Sequence, residues 1–174
     1  MPTIKPFRDY DEHDVINLFG VNSTDLSKGN LVKIDTGWTT TDNFITDTIG
    51  TAYANTVSNR YGVTARVSQT SATGDTAIGI LLYDVKEFDE NGEPLKFHPR
   101  KAAEMNCVLS GQSAPILTKG LVIYSGAHGT PAAGAPAYVS GNGTVTTINN
   151  GQQRVGRFLG ARDERGFALL KLEL

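Results

Sequence analysis

The side chains best suited to catalysis or metal binding are the three histidines and the single cysteine: His13, His98, His128 and Cys107. None of them has a second ligand at the spacing of a known metal motif. His13 lies in an acidic run with Asp9, Asp11, Glu12 and Asp14. Such a run is more often a solvated surface than a cation site. The sequence therefore predicts neither a metal site nor a cofactor.

Nucleophilic catalysis is not indicated either. Ser125 and His128 share one Gly-rich loop and are too local to form a nucleophile and base pair. The run from Gly141 begins like a dinucleotide-binding loop, but a Thr stands where the third Gly should be and a strand pattern follows. The paired acids, Asp84 with Glu87 and Asp163 with Glu164, fall near turns and are expected to be solubilising surface charges. The sequence does not predict an enzyme.

Composition narrows the class of protein further. The chain has 174 residues, enough for one domain or a domain with an arm, and its 19 glycines favour turns and short strands. The formal charge of -2 and the lack of a Lys/Arg run argue against direct nucleic-acid binding. No stretch approaches the length of a membrane span, and the start of the chain lacks the apolar core of a signal peptide. Synthesis in a cytoplasm is the expectation.

The elements that would position these residues are clearest near the carboxyl end. Asn142-Gly143 lies between two strand-like runs and is a strong hairpin signal, because both residue types tolerate positive φ. A second hairpin is predicted between residues 155–159 and 167–172, with its turn at 163–166. Alternation places Leu170, Leu172 and Leu174 on one face of its last strand.

Short strands also recur through the rest of the chain. Strands are predicted at 31–34, at 63–69 and at 77–85, the last being the longest apolar run and the expected central strand. Pro99 to Met105 is the best helix candidate, because Pro opens it and good helix formers follow. The predicted fold is therefore all-β, a small barrel or sandwich with one short helix and an extended N-terminal arm.

The N-terminal part of the chain is harder to interpret. Residues 11–19 fit one or two helical turns, in which Val15, Leu18 and Phe19 would form an apolar face that Gly20 would end. They fit equally an extended arm whose apolar residues dock on a neighbouring subunit. The predicted organisation is an arm at 1–33 and a β-domain at 34–174.

The last third of the chain resembles a known family. The pattern comprises a Gly-rich spacer, Pro-Ala-Tyr-Val at 136–139, Gly-Asn-Gly, Thr-Val-Thr-Thr, Arg-Val-Gly-Arg-Phe-Leu-Gly-Ala at 154–161 and Phe-Ala-Leu-Leu-Lys-Leu at 167–172. It is similar to the β-domain of tailed-bacteriophage capsid decoration proteins, also called cement or head-stabilisation proteins. The segment 115–120 just before it is also similar to that family.

The resemblance implies a structural virion protein without catalysis. It would bind the outside of the assembled head, with the major capsid protein as its partner, and it would form a homo-oligomer, with a trimer expected. Aromatic and aliphatic side chains on a polar segment are the expected anchors. The predicted contacts to the shell or to a neighbouring copy are Phe7, Tyr10, Leu18, Phe19 and Trp38.

Two alternatives to this interpretation remain open. The anchor residues of the arm could simply pack on their own β-domain. The protein could also be a glycan- or receptor-binding β-module of a fibre or surface protein, with Trp38 and Tyr residues as stacking platforms. The same Gly- and Thr-rich all-β composition would serve such a module.

Overall fold

The computed structural model describes residues 2–7, 9–21, 26–37, 65–71, 74–109 and 112–174. Trp38 lies outside these ranges, as does the start of the strand predicted at 63–69. The described chain is mostly β, with one short helix and two curled sheets that form half-barrels. The predicted all-β class is therefore confirmed.

Two large sheets and one small one contain the strands of the described ranges. The seven-stranded sheet has the order β1 (Ile4–Pro6), β10 (Lys119–Tyr124), β15 (Ala168–Glu173), β14 (Arg154–Phe158), β12 (Pro136–Val139), β13 (Val145–Thr146) and β11 (Ala127–His128). The six-stranded sheet has the order β2 (Val15–Ile16), β9 (Ile116–Leu117), β6 (Ala77–Leu81), β4 (Leu31–Thr36), β5 (Arg66–Gln69) and β3 (Gly20–Val21). The small sheet pairs β7 (Asp84–Val85) with β8 (Cys107–Val108).

The carboxyl-terminal hairpins form as predicted. Asn142 and Gly143 both have positive φ, and they turn the chain between the antiparallel strands β12 and β13. β14 and β15 form the second hairpin, in which Gly156 lies against the Lys171 carbonyl so closely that a Cβ would clash. Leu170 and Leu172 are fully buried, and Leu174 packs on the same cluster. Short sequence separation explains why these pairings were predictable.

The core lies between the two large sheets. Its larger cluster joins Tyr124, Phe158 and Leu172 of the seven-stranded sheet to Leu31 and Ile80 of the six-stranded sheet. A second cluster lies among β3, β5 and β9 and includes Phe19. β6 is an inner strand of its sheet, between β9 and β4, so the prediction of a central strand holds for 77–81, while 84–85 belongs to the small sheet.

One excursion leaves the sheets between β7 and β8. It contains a 3-10 turn (Leu95–Phe97) and the helix α1 (Pro99–Glu104), so the predicted helix is confirmed. Asp89 anchors this excursion: its buried carboxylate accepts from Asn91 N–H and Glu93 N–H and pairs with the Lys101 ammonium. The hydrogen bond from Lys101, followed by that from Glu93, lowers the pKa of Asp89 to about 2.

The predicted N-terminal organisation needs correction. Residues 15–16 and 20–21 are strands, so the helical interpretation of 11–19 is wrong. β4 runs across the boundary predicted between 33 and 34, and β1, β2 and β3 pair with β10, β9 and β5. The described part of 1–33 is therefore built into both sheets, because pairing satisfies its backbone groups and buries Ile4, Val21 and Leu31.

No helix in the described ranges has the length and apolar character that crossing a bilayer requires.

Candidate functional site

Among the strands that the structure describes, those of the N-terminal segment, residues 2–21, form three of the four edges of the two large sheets. β1 is one edge of the seven-stranded sheet, and β2 and β3 are the two edges of the six-stranded sheet. Each of these strands has only two or three residues, and β1 carries Lys5 and Pro6. Short edge strands with Lys and Pro resist further strand pairing. Any partner of this segment is therefore expected to bind its side chains.

Two of the predicted anchors face the protein interior. The Tyr10 hydroxyl donates to the Leu121 carbonyl at 2.6 Å, and its ring packs on the larger core cluster. Gly120 makes room for that ring, since a Cβ there would lie 2.9 Å from Tyr10 Cε1. Phe19 is only 8% exposed and belongs to the second cluster. Tyr10 and Phe19 therefore pack within their own domain.

The other two described anchors are exposed. Phe7 follows β1 and is 54% exposed, and Leu18 lies between β2 and β3 and is 40% exposed. Both belong to a segment that is held by backbone pairing on either side of them. Side chains presented by an ordered backbone lose less conformational entropy on binding than those of a free arm. The fifth predicted anchor, Trp38, lies outside the described residues.

A groove of about 460 Å³ runs along this segment. Val15, Leu82 and Pro115 give it apolar walls, with Tyr10 and the exposed Tyr83 beside them. Its rim is acidic, being formed by Asp9, Asp11 and Glu12.

The acidic residues are set by a local turn. Asp11 Oδ1 accepts from His13 N–H at 2.8 Å and from Asp14 N–H at 3.2 Å. His13 Nδ1 lies 3.6 Å from the same carboxylate oxygen, and both side chains are exposed. Within the described ranges no three His, Cys, Asp or Glu side chains converge as metal ligands would. The run is thus a structured, negatively charged surface.

A basic surface faces outward on the seven-stranded sheet. The register places Leu121, Lys171 and Arg157 in one row of the outer face, with Lys119 opposite Glu173 in the next row. The exposed charged side chains of this outer face are Lys5, Lys119, Arg154, Arg157, Lys171 and Glu173. Half-buried Leu121, Ile123 and Leu169 lie between them. Sequence reasoning missed this surface because its residues come from strands far apart in the chain.

A polar pocket of about 420 Å³ lies at one end of the two sheets. It is lined by Pro2, Ser27, Asn30, Gln69, Ser125, Gly126, Ala127, His128, Asn142 and Thr144. Asn30 is only 5% exposed, and its Oδ1 has no hydrogen-bond partner in the described structure. Ser125 Oγ accepts from Thr3 N–H and lies 3.2 Å from Thr3 O, so it fixes the N-terminal segment.

The remaining sequence candidates serve the local fold. Asp84 accepts from Lys28 N–H at 2.7 Å, so it is a structural group and not the solubilising charge that was predicted. Asp163 shapes the β14–β15 turn by accepting from Arg165 N–H and Phe167 N–H.

Cys107 is half-buried, and burial raises the pKa of its thiol. His98 precedes α1 and lies 3.9 Å from Glu93.

No protein-family model matches the chain, and no curated protein is significantly similar to it in sequence.

Proposed function

We propose that this protein is a capsid decoration protein, which binds the outer surface of an assembled bacteriophage head and stabilises it. One observation carries the proposal: the N-terminal segment is fixed to both sheets by pairing and yet presents Phe7 and Leu18 to solvent. The resemblance of residues 115–172 to the decoration family supports the same function.

The physical logic of such a role is linkage. A protein that binds only the assembled shell shifts the equilibrium towards that shell, and each bound copy adds to the effect. The proposed partner is the major capsid protein, and the proposed location is the exterior of the virion. No bond is made or broken in this role, so the protein needs only a stable fold and an exposed surface that contacts the shell.

The first test is the number of copies in purified virions of the phage that encodes the chain, measured by quantitative mass spectrometry. Hundreds of copies per particle support decoration. A handful would place the protein in a tail or fibre, and absence from mature particles would overturn the proposal.

The second test measures binding to heads that lack the protein. Phe7→Ser with Leu18→Ser is expected to weaken binding by about tenfold or more, because two apolar anchors are lost. Phe88→Ser with Phe97→Ser is the matched control, since these side chains are 53% and 69% exposed on the excursion between β7 and β8. Equal loss in both variants would contradict the role given to the N-terminal segment.

Glycan binding is a second candidate, favoured by the polar pocket. No Lys, Arg, Asp or Glu is among the described residues that line this pocket. The unpartnered Asn30 Oδ1 is free to accept a hydrogen bond from a sugar hydroxyl. Binding to a glycan array that is lost in Asn30→Ala, in a protein without affinity for heads, would favour this function over decoration.

A further inference from the structure

The outer face of the seven-stranded sheet has a charge opposite to that of the molecule. The chain as a whole has a formal charge of -2, whereas the charged residues of this face are five cations and one carboxylate in the described structure. The excess of positive charge is not confined to one strand, because β1, β10, β14 and β15 each contribute at least one cation. Such a surface favours an anionic partner.

The arrangement of these cations costs the isolated fold some stability. Arg157 and Lys171 are direct cross-strand partners, and like charges in that position repel each other. Glu173 is the carboxylate that both of them contact, at 3.9 Å from Arg157 and 2.7 Å from Lys171. Further negative charge brought to this face would relieve the remaining repulsion.

The face also indicates the kind of anion. Half-buried Leu121, Ile123 and Leu169 interleave the cations, and Glu173 would repel a phosphate backbone. A protein surface with both carboxylates and apolar groups fits this mixture better than nucleic acid does.

This chain itself carries such a surface. The acidic segment, residues 9–14, has four carboxylates in six positions. Beside it lie the apolar groove with Tyr83 and the exposed Phe7. Two basic faces would repel each other, so a symmetric face-to-face dimer is disfavoured. The complementary arrangement is head to tail, with the acidic segment of one copy on the basic face of the next.

We propose that the outer face of the seven-stranded sheet binds the acidic segment of a second copy of this chain. This deepens the proposed function, because it names a neighbouring copy as one partner of the N-terminal segment. The four strands of this face lie at the usual spacing, and the longest of them have six residues, so the face measures at most about 20 by 20 Å. That is about half the area per partner of a standard stable interface, so a pairwise contact is weak and gains strength when a lattice holds many copies.

Sedimentation velocity of the full chain at concentrations up to about 500 µM tests the contact without any capsid. We expect reversible association in about 20 mM NaCl and its loss in about 500 mM NaCl, because salt screens exposed charges. Arg154→Glu with Arg157→Glu should weaken association about tenfold or more. At position 157 the substitution replaces a like-charge pair with Lys171 by an opposite-charge pair.

The reciprocal variant is Asp9→Lys with Glu12→Lys, which spares the turn-forming Asp11. It should also lose association, and the chain with all four substitutions should regain it. Lys96→Glu with Arg100→Glu is a charge-matched control at exposed sites between β7 and β8, outside the face, and should associate normally.

Three results would overturn the proposal: no association of the wild type at low salt, equal loss in the control, or no recovery in the fourfold variant. A 24-base-pair DNA duplex serves as the competing ligand. Binding of that duplex through Arg154 and Arg157, without self-association, would reassign the face to nucleic acid. This assay contains no heads. A negative result would therefore leave head binding by the N-terminal segment untouched, because the Phe7 and Leu18 variants test that binding separately.

Discussion

Arg157 and Lys171 lie directly opposite each other on β14 and β15, and the Glu173 carboxylate contacts both side chains. Two cations at one cross-strand position would otherwise repel, since like charges there are destabilising. The hydrogen bond from Lys171 is the main cause that lowers the pKa of Glu173. The carboxylate therefore offsets part of the repulsion between Arg157 and Lys171.

Removing that carboxylate is expected to lower stability in a salt-dependent way. Glu173→Gln should have a lower Tm than the wild type at low ionic strength, and the gap should narrow in about 0.5 M NaCl as the repulsion is screened. Thermal denaturation followed by circular dichroism measures both. Glu164→Gln, in the exposed β14–β15 turn, removes the same charge and should show no such gap. A difference in Tm that does not change with salt would argue against electrostatic repulsion as the cause of the lower stability.

The Asp89 carboxylate gives a prediction about acid. Its pKa in the folded protein is about 2, below the ordinary 3.8. A carboxyl group whose pKa is depressed by folding stabilises the fold fully above its ordinary pKa, and the contribution is lost as the pH falls towards the folded value. The Tm of Asp89→Asn should therefore lie below that of the wild type at pH 6, and the two values should converge between about pH 4 and pH 2. Parallel curves over that range would contradict this role.

Tyr124 tests whether a buried hydroxyl contributes to stability. The side chain is fully buried, and burial raises the pKa of its phenol, an effect that Val145 N–H only partly offsets. Its Oη has no partner of normal hydrogen-bond geometry in the described structure. Tyr124→Phe should change the free energy of unfolding by less than about 1 kcal/mol. Tyr124→Ala should cost about 3–5 kcal/mol, because it leaves a cavity between the sheets. Urea unfolding at 25 °C separates the two.

The N-terminal anchors divide into structural and exposed residues, and stability measurements should separate them. Phe19→Ala is expected to lower the free energy of unfolding by about 3 kcal/mol or more, because Phe19 fills the second core cluster. Phe7→Ala should change it by no more than about 0.5 kcal/mol, as exposed sites usually do. A large loss for Phe7→Ala would mean that its side chain supports the fold and is not a free contact group.

Local signals in the sequence predicted the local parts of the fold. Asn142-Gly143 indicated its hairpin because the turn needs positive φ at both residues, and Pro99 indicated the start of α1. The alternation through Leu170 and Leu172 indicated the buried face of β15. Each signal depends on neighbours within a few positions.

The rest depends on pairings between distant residues, which no local pattern encodes. β2 and β3 have two residues each, too few to show a period, and they exist because β9 and β5 offer them partners. The basic face could not be predicted for the same reason, since Lys5, Arg157 and Lys171 share one face only through the register of the sheet. Of the predicted anchors, Tyr10 and Phe19 proved to pack within their own domain, and their binding role stays a prediction along with that of Phe7, Leu18 and Trp38.

The pairing of Ile4 with Tyr124 also bears on how the chain matures in the cell. β1 and β2 leave the ribosome early, but their strand partners β10 and β9 are translated much later. Until then Ile4 cannot be buried between the two large sheets. Such long sequence separations slow folding. The seven-stranded sheet can therefore be completed only after β15 has left the ribosome. A ribosome-stalled chain that ends before residue 116 should show no protection of β1 and β2.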